Sequence, residues 1–238
     1  MQSAHYKIWQ KGPAVGQGVT ESFHVGVAAV AKTDGPQAPH AVANEHICAS
    51  LARAICLPVP PVFQIVMDSK IWSASMNFNL SGQNLPPASA KDLVAAFPDL
   101  AWGIFLFDVW ICNPDRHSGN LSFDQQKKQV QIFDHSHALF ARNGLTSLQS
   151  NQNQLGTGGH CLAPHLTDYF LADPWLKRIS EVPEHYIDCA LGGLESINVD
   201  AALALSTKNF LLNRVLQLKQ LVKANPACLP LVLNLEAW

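Results

Sequence analysis

Residues 100–112 read Leu-Ala-Trp-Gly-Ile-Phe-Leu-Phe-Asp-Val-Trp-Ile-Cys. Trp102, Phe105, Leu106, Val109 and Trp110 leave a helix over this stretch apolar nearly all round. Such a helix has no face to offer water and must lie at the centre of a folded unit. The run is too short to cross a bilayer, and it carries Asp108. The next residues are opposite in character: 113–120 read Asn-Pro-Asp-Arg-His-Ser-Gly-Asn. A buried helix that delivers the chain straight into a polar loop is a way of holding that loop rigid.

Within the loop, Asp115 precedes Asn120 by five residues, and Asp134 comes at the end of two short strand-like runs, 121–123 and 130–133. An Asp or Asn alone in a loop is most often a turn former. The joint pattern is more specific. Five residues of loop let Asp115 and Asn120 face one cleft, and a hairpin brings Asp134 to its wall. Phosphoryl transfer needs these groups: a carboxylate to take the proton of the attacking hydroxyl, and two oxygen ligands to hold Mg²⁺ against the phosphates of ATP. Asp115 is the candidate base, and Asn120 and Asp134 are the candidate metal ligands. Arg116 and His117 are expected to orient the loop by hydrogen bonds.

Asp115-Arg116-His117-Ser118-Gly119-Asn120, with Ile132-Phe133-Asp134-His135-Ser136 after it, resembles the HipA-like kinases. More distantly it resembles the phosphatidylinositol kinases, which share the D-R-H-x-x-N and I-D elements. The resemblance extends upstream to Asn44-Glu45 and Leu57-Pro58-Val59-Pro60, and thins downstream into a helical tail. It implies an α+β, bilobal protein-kinase-like fold, with a small β-rich lobe carrying one helix and a larger, mainly helical lobe. It also implies transfer from ATP to a protein Ser/Thr, as in bacterial toxin-like kinases, and an antitoxin-like protein partner. The phosphoinositide likeness leaves a lipid or small-molecule acceptor open. His135-Ser136 stand where conventional protein kinases have Phe-Gly.

The segment before the buried helix fits a nucleotide-binding lobe over residues 1–80. Residues 6–9 suit a first strand. Gly12, Gly16, Gly18 and Thr20 then suit a loop whose bare backbone can approach phosphate, and equally a plain hairpin turn. Residues 23–32 alternate as one strand, with Phe23, Val25, Val27, Ala29 and Ala31 on one face. Lys32 at its end is placed to reach the α/β-phosphates. Asn44 reads as the N-cap of a helix running to about Cys56, stopped by Pro58 and Pro60. Glu45 is then the candidate ion-pair partner of Lys32. Residues 62–67 and 70–78 form a hairpin closed at Asp68-Ser69. Backbone near Met76 and Phe78 is placed, by order along the chain, to contact adenine. The Gly/Pro/Ser-rich stretch 80–89 is the expected lobe boundary.

Residues 81–238 make the large catalytic lobe. Residues 92–97 start helical. Residues 143–160, rich in Gln, Asn and Gly, read as a mobile loop in the position of an activation or substrate loop. Helices are expected after it at 164–171, 174–179, 183–191 and 207–223. In the last, Leu211, Val215, Leu218 and Val222 form a core stripe. The apolar end, 229–238, is expected to dock on this lobe or on a partner.

The formal net charge is −2 and there is no basic stripe, so nucleic acid is not an expected partner. No signal peptide or span is visible, and the six cysteines form no C-x-x-C pair, which points to free thiols in a reducing cytoplasm. Two readings from other classes remain beside the kinase. One is an ATP-binding pseudokinase or interaction module without turnover. The other is a zinc hydrolase built on histidines such as His135 and His137, which no third nearby ligand supports.

Overall fold

The structure is a computed structural model, and it describes residues 8–16, 19–77 and 88–238. Among these residues it is a mixed α/β protein of three small antiparallel sheets and a set of helices packed about the buried helix. The first sheet pairs β1 (Ile8–Ala14) with β2 (Phe23–Val27). The second has the order β3 (Ala29–Lys32), β5 (Lys70–Met76), β4 (Val62–Met67). Between β3 and β4 lies α1 (Ala41–Ala54). The third sheet is the hairpin β6 (Leu121–Asp124) and β7 (Gln129–Ile132).

The single strand expected over 23–32 is broken at Ala28, whose carbonyl accepts from Asn77 N–H at 2.9 Å, and its halves join different sheets. Its alternation also does not translate into burial: Val25 and Val27 are exposed. A two-stranded ribbon has no second layer to cover it, and what packs on Phe23 is the Lys11 ammonium, 3.4 Å from the ring centre. Residues 6 and 7 of the expected first strand lie outside the described residues. The β4–β5 hairpin does turn at Asp68 and Ser69, both with positive φ (52° and 59°), as a two-residue turn matched to strand twist requires.

Helix α1 starts three residues before Asn44, with His40 at the N-cap position, so Asn44 is not a cap. Its side chain is buried inside the helix and spans to another element: Nδ2 donates to the Ser136 carbonyl at 2.9 Å, and Oδ1 accepts from Phe140 N–H at 3.4 Å. The start is held instead by Asp34, whose Oδ1 accepts from Val42 N–H at 2.9 Å. The helix ends through Cys56 at φ 65°, before Pro58.

Helix α2 (Ala90–Ala96) is capped by Ser89 and leads into α3 (Pro98–Trp110). Every residue of α3 from Leu100 to Trp110 is buried, as its composition demands. Gly103 lets the Trp175 indole lie on the helix, because a Cβ there would overlap its ring. Trp175 belongs to α5 (Asp173–Ser180), and α6 (Glu184–Leu191) and α7 (Ala201–Lys223) complete the surround. Residues 164–171 make two short 3-10 turns rather than a helix. The chain end docks on the helices: Trp238 packs at 6.0 Å from Trp102 and donates to Asp173 at 2.7 Å.

Residues 143–160 are not the mobile loop that their composition suggests. They hold α4 (Leu145–Asn151), and the turn after it is gripped by Arg214 of α7. The buried Arg214 guanidinium donates to the carbonyls of Asn151, Gln152, Gln154 and Leu155, and to those of Val109 and Trp110 at the end of α3. One side chain thus supplies donors to carbonyls at a helix end and in a loop, where, among the described residues, only the Val109 and Asn151 carbonyls also accept a backbone N–H, from Cys112 and Gln154. All six cysteines are free. Among the described residues, no helix is long and apolar enough to cross a membrane.

Replacing Arg214 with Met keeps the apolar stem and takes the guanidinium donors from these carbonyls. We expect Arg214→Met to lose about 3 kcal/mol of stability in a urea melt. Arg214→Lys should recover only part, because an ammonium has no planar fork. Equal melts for all three proteins would show that the clamp contributes nothing.

Candidate functional site

The buried end of α3 determines where the polar loop points. Asp108, the one ionised group in that buried stretch, meets Arg116 in a fork: Nε to Oδ2 at 2.7 Å and Nη2 to Oδ1 at 3.0 Å, with both side chains fully buried. Asn113 adds a bond to Asp108 Oδ1 at 2.8 Å. The remaining arm of Arg116, Nη1, donates to the carbonyls of Asn120 (3.0 Å) and Phe133 (2.8 Å). One guanidinium therefore ties together the helix, the loop end bearing Asn120, and the residue before Asp134.

His160 closes this network from a distant part of the chain. Its Nδ1 accepts from Leu162 N–H at 3.2 Å, so the proton sits on Nε2, which donates to Asp108 Oδ2 at 3.0 Å. Burial lowers its pKa and keeps the imidazole neutral. Burial also opposes the charge on Asp108, but Arg116 and His160 outweigh it and hold the carboxyl well below its usual range.

Asp115 is half-buried at the loop's tip, with its N–H on Asn113 Oδ1 at 3.2 Å. Asn120 Nδ2 donates to the Asp115 carbonyl at 2.8 Å. Its amide nitrogen is thereby committed, and among the described residues Oδ1 is left with its lone pairs open to a ligand. Asp134 comes after β7 at φ 63°, a left-handed turn that swings its carboxylate out of the strand path.

That carboxylate meets Lys32 and Glu45. Lys32 Nζ lies 3.0 Å from Glu45 Oε1 and 2.7 Å from Asp134 Oδ1, so the expected strand-to-helix ion pair is present and has a third member. Ser136 sits among them: its Oγ is 3.4 Å from Lys32 Nζ, 3.0 Å from Glu45 Oε1 and 2.8 Å from Asp134 Oδ1. Glu45 Oε2 faces His135 Nδ1 at 3.6 Å. Burial would lower the Lys32 pKa, but the two carboxylates raise it overall. Burial would raise Glu45 and Asp134. His135 and Lys32 depress the first, and Lys32 chiefly depresses the second. The cluster is charged as a unit.

The other candidate nucleotide residues are not drawn into it. Gly16 (φ 71°) and Thr20 lie in the exposed turn between β1 and β2, and Met76 ends β5 with its N–H on the Pro61 carbonyl. Among the described residues, none of the three bonds to Lys32, Glu45 or Asp134. Gly18 and Phe78 lie outside the described residues. His117 turns onto its own loop, accepting from Gly119 N–H at 3.0 Å.

Sequence pattern assigned no part to Asp108, Ser136, Asn44 or His160 in this arrangement. Asp108 did carry a signal, since an ionisable residue in an apolar helix must find a partner. His160 had none, because 44 residues separate it from Arg116 and only the tertiary fold joins them.

The sequence model of the HipA-like kinases matches residues 17–151, more than half of the chain and the whole span from Lys32 to Asp134. The chain belongs to the HipA-like kinase family. Among solved structures, the Helicobacter pylori proinflammatory kinase CtkA is similar to it with a TM-score of 0.52 at 14% identity, over 88% of this chain and 91% of that one. At that identity the likeness shows the fold. The HipA of a Shewanella oneidensis toxin–antitoxin complex with HipB and operator DNA aligns with a TM-score of 0.47 at 12% identity, over 91% of this chain and 65% of that one. No curated protein matches the chain.

The depressed carboxylates fix the sign of a pH effect. A group whose folded pKa lies below its unfolded value stabilises the fold above the unfolded pKa, and this is lost as pH falls through that value toward the folded one. With Asp108, Glu45 and Asp134 all shifted down, the urea midpoint should fall steadily from about pH 5 to pH 3. Asp108→Asn should flatten part of that fall and cost about 3 kcal/mol at pH 7, since it leaves a buried guanidinium uncompensated. A midpoint level across this range in the wild type would contradict the assignment.

Proposed function

We propose that this protein transfers the γ-phosphoryl group of ATP to a hydroxyl, most specifically a protein Ser or Thr, with Mg²⁺. The observation that carries the reading is the three-way contact of Lys32, Glu45 and Asp134, set beside a loop that Arg116 locks to the same strand end. Sheet, helix and hairpin each supply one charged group to one place. Family membership supports the same chemistry. The reading includes a bilobal arrangement, with residues 1–80 as the nucleotide lobe and 81–238 as the catalytic lobe.

In this reading Lys32 binds the α/β-phosphates, and Glu45 holds its ammonium extended. Gly16, Gly18 and Thr20 cover the phosphates, and backbone near Met76 and Phe78 meets adenine. Asp115 orients the acceptor hydroxyl and takes its proton. Residues that would hold Mg²⁺ are Asn120 and Asp134. Asn120 Nδ2 is spent on Asp115 and Asp134 Oδ1 on Lys32 and Ser136, which leaves one hard oxygen on each. One or two protein oxygens plus substrate phosphates suit Mg²⁺, whose part when bound is to neutralise phosphate charge. A protein partner of the antitoxin kind belongs to the same reading through the family.

A thermal-shift titration tests it. Mg·ATP should raise the wild-type midpoint, by mass action on the folded state, and Asp134→Ala should lose the metal-dependent part. Asp115→Ala should keep the shift and lose ATP turnover by roughly 10²–10⁴-fold. No shift with nucleotide or metal in the wild type would remove the reading, and turnover unchanged in Asp115→Ala would remove Asp115 as the base.

A further inference from the structure

Asp115 opens onto a cleft of about 480 Å³, and the composition of that cleft bears on the acceptor. Its polar wall is His137, Arg142, Asn143 and Ser147. Pro114 and Ala141 complete it, and among the described residues it is lined by no large hydrophobic side chain. Arg142 is the cation of this wall. Its described partner is the neutral amide of Gln37, and among the described residues no carboxylate pairs with it.

The turn that carries Arg142 is rigid. Leu139 (φ 40°) donates to the Ile111 carbonyl at 3.0 Å, at the end of the buried helix. Phe140 is fully buried and its N–H is held by Asn44 of α1. Ala141 (φ 44°) turns back on Ala138, and Asn143 closes the turn on the Phe140 carbonyl at 3.2 Å and the Ser147 hydroxyl at 3.2 Å. The same elements that fix Asp115 and Glu45 therefore fix the backbone under Arg142. A backbone held in place beforehand leaves only the Arg142 side chain to be ordered when it meets a counter-charge.

The geometry points to an acidic polypeptide as the acceptor, with its hydroxyl at Asp115 and a neighbouring carboxylate on Arg142. This rests on the phosphotransferase reading and specifies its acceptor. In the transfer, the acceptor oxygen forms a bond to the γ-phosphorus, the bond from that phosphorus to the β,γ-bridging oxygen breaks, ADP leaves with the electron pair, and the hydroxyl proton passes to Asp115. The hydrogen-bonding groups of His137, Asn143 and Ser147 beside Arg142 suit a polar peptide side chain, and the lining has no large hydrophobic side chain to receive an acyl chain.

Fluorescence anisotropy with three labelled serine peptides of equal length, flanked by Glu, Ala or Lys, tests this on the full chain with saturating magnesium and a non-hydrolysable ATP analogue. The Glu peptide should bind roughly fivefold more tightly than the Ala peptide, the range of one exposed ion pair. Arg142→Ala should abolish that difference, Arg142→Lys should retain part of it, and Arg142→Glu should favour the Lys peptide. Equal binding of the Glu and Ala peptides, preference for Lys in the wild type, no binding of any peptide, or displacement by a soluble inositol phosphate at lower concentration than by the Glu peptide would each overturn the proposal. The wild-type midpoint shift with Mg·ATP reads the nucleotide site separately. If that shift is present and the peptide preference absent, the acceptor proposal alone falls. If the shift itself is absent, the phosphotransferase reading falls with it.

Discussion

The fork between Asp108 and Arg116 is the interaction on which the site depends. Two charges buried beyond reach of water are stable only when every arm finds a partner. Asp108 satisfies two arms of the guanidinium, and Asn113 and His160 fill out the carboxylate. The third arm must then go to backbone carbonyls, and those available belong to Asn120 and Phe133. The need to neutralise one acid in an apolar helix thereby sets the positions of Asn120 and Asp134. Such a pair contributes little net stability against an apolar alternative of the same volume, so its value here lies in geometry.

A second constraint joins α1 to this assembly. Asn44 and Glu45 are adjacent in the helix and both reach the segment after β7: Asn44 bonds the Ser136 and Phe140 backbone, and Glu45 meets Ser136 Oγ and His135. Ser136 matters because its hydroxyl carries one proton and touches two carboxylates and an ammonium. It accepts from Lys32 and donates to one acid at a time, which lets like charges share a small space. A Gly or Phe at this position would supply neither function. The His-Ser pair after Asp134 thus has a local physical role, distinct from that of the Phe-Gly of conventional protein kinases.

Long-range polar bonds decided most of what composition misjudged. Residues 143–160 look mobile because they are polar and Gly-rich, yet Arg214, some 60 residues on, holds four of their carbonyls, and His160 is buried against Asp108. Asn44 looks like a cap because Asn commonly caps, yet Asp34 makes the bond to the helix start and frees Asn44 to span between elements. The strand over 23–32 has the right alternation, but alternation produces burial only when a second layer is present to receive one face.

The buried helix, the polar loop it delivers, the β6–β7 and β4–β5 hairpins, and the residue types from Lys32 to Asp134 were legible in the order of residues alone. These are local facts, set by side-chain period, turn chemistry and spacing within a few residues. The pairing of Lys32 with Glu45 was expected from the resemblance carried by Asn44-Glu45 and Leu57-Pro58-Val59-Pro60, and the ion pair is present. Packing in three dimensions was needed to bring Asp134 to that pair, to bridge it with Ser136, and to brace the loop and α3 with His160 and Arg214 from the far end of the chain. A buried charge selects its partner by proximity and desolvation, and proximity between distant segments is a property of the packed fold.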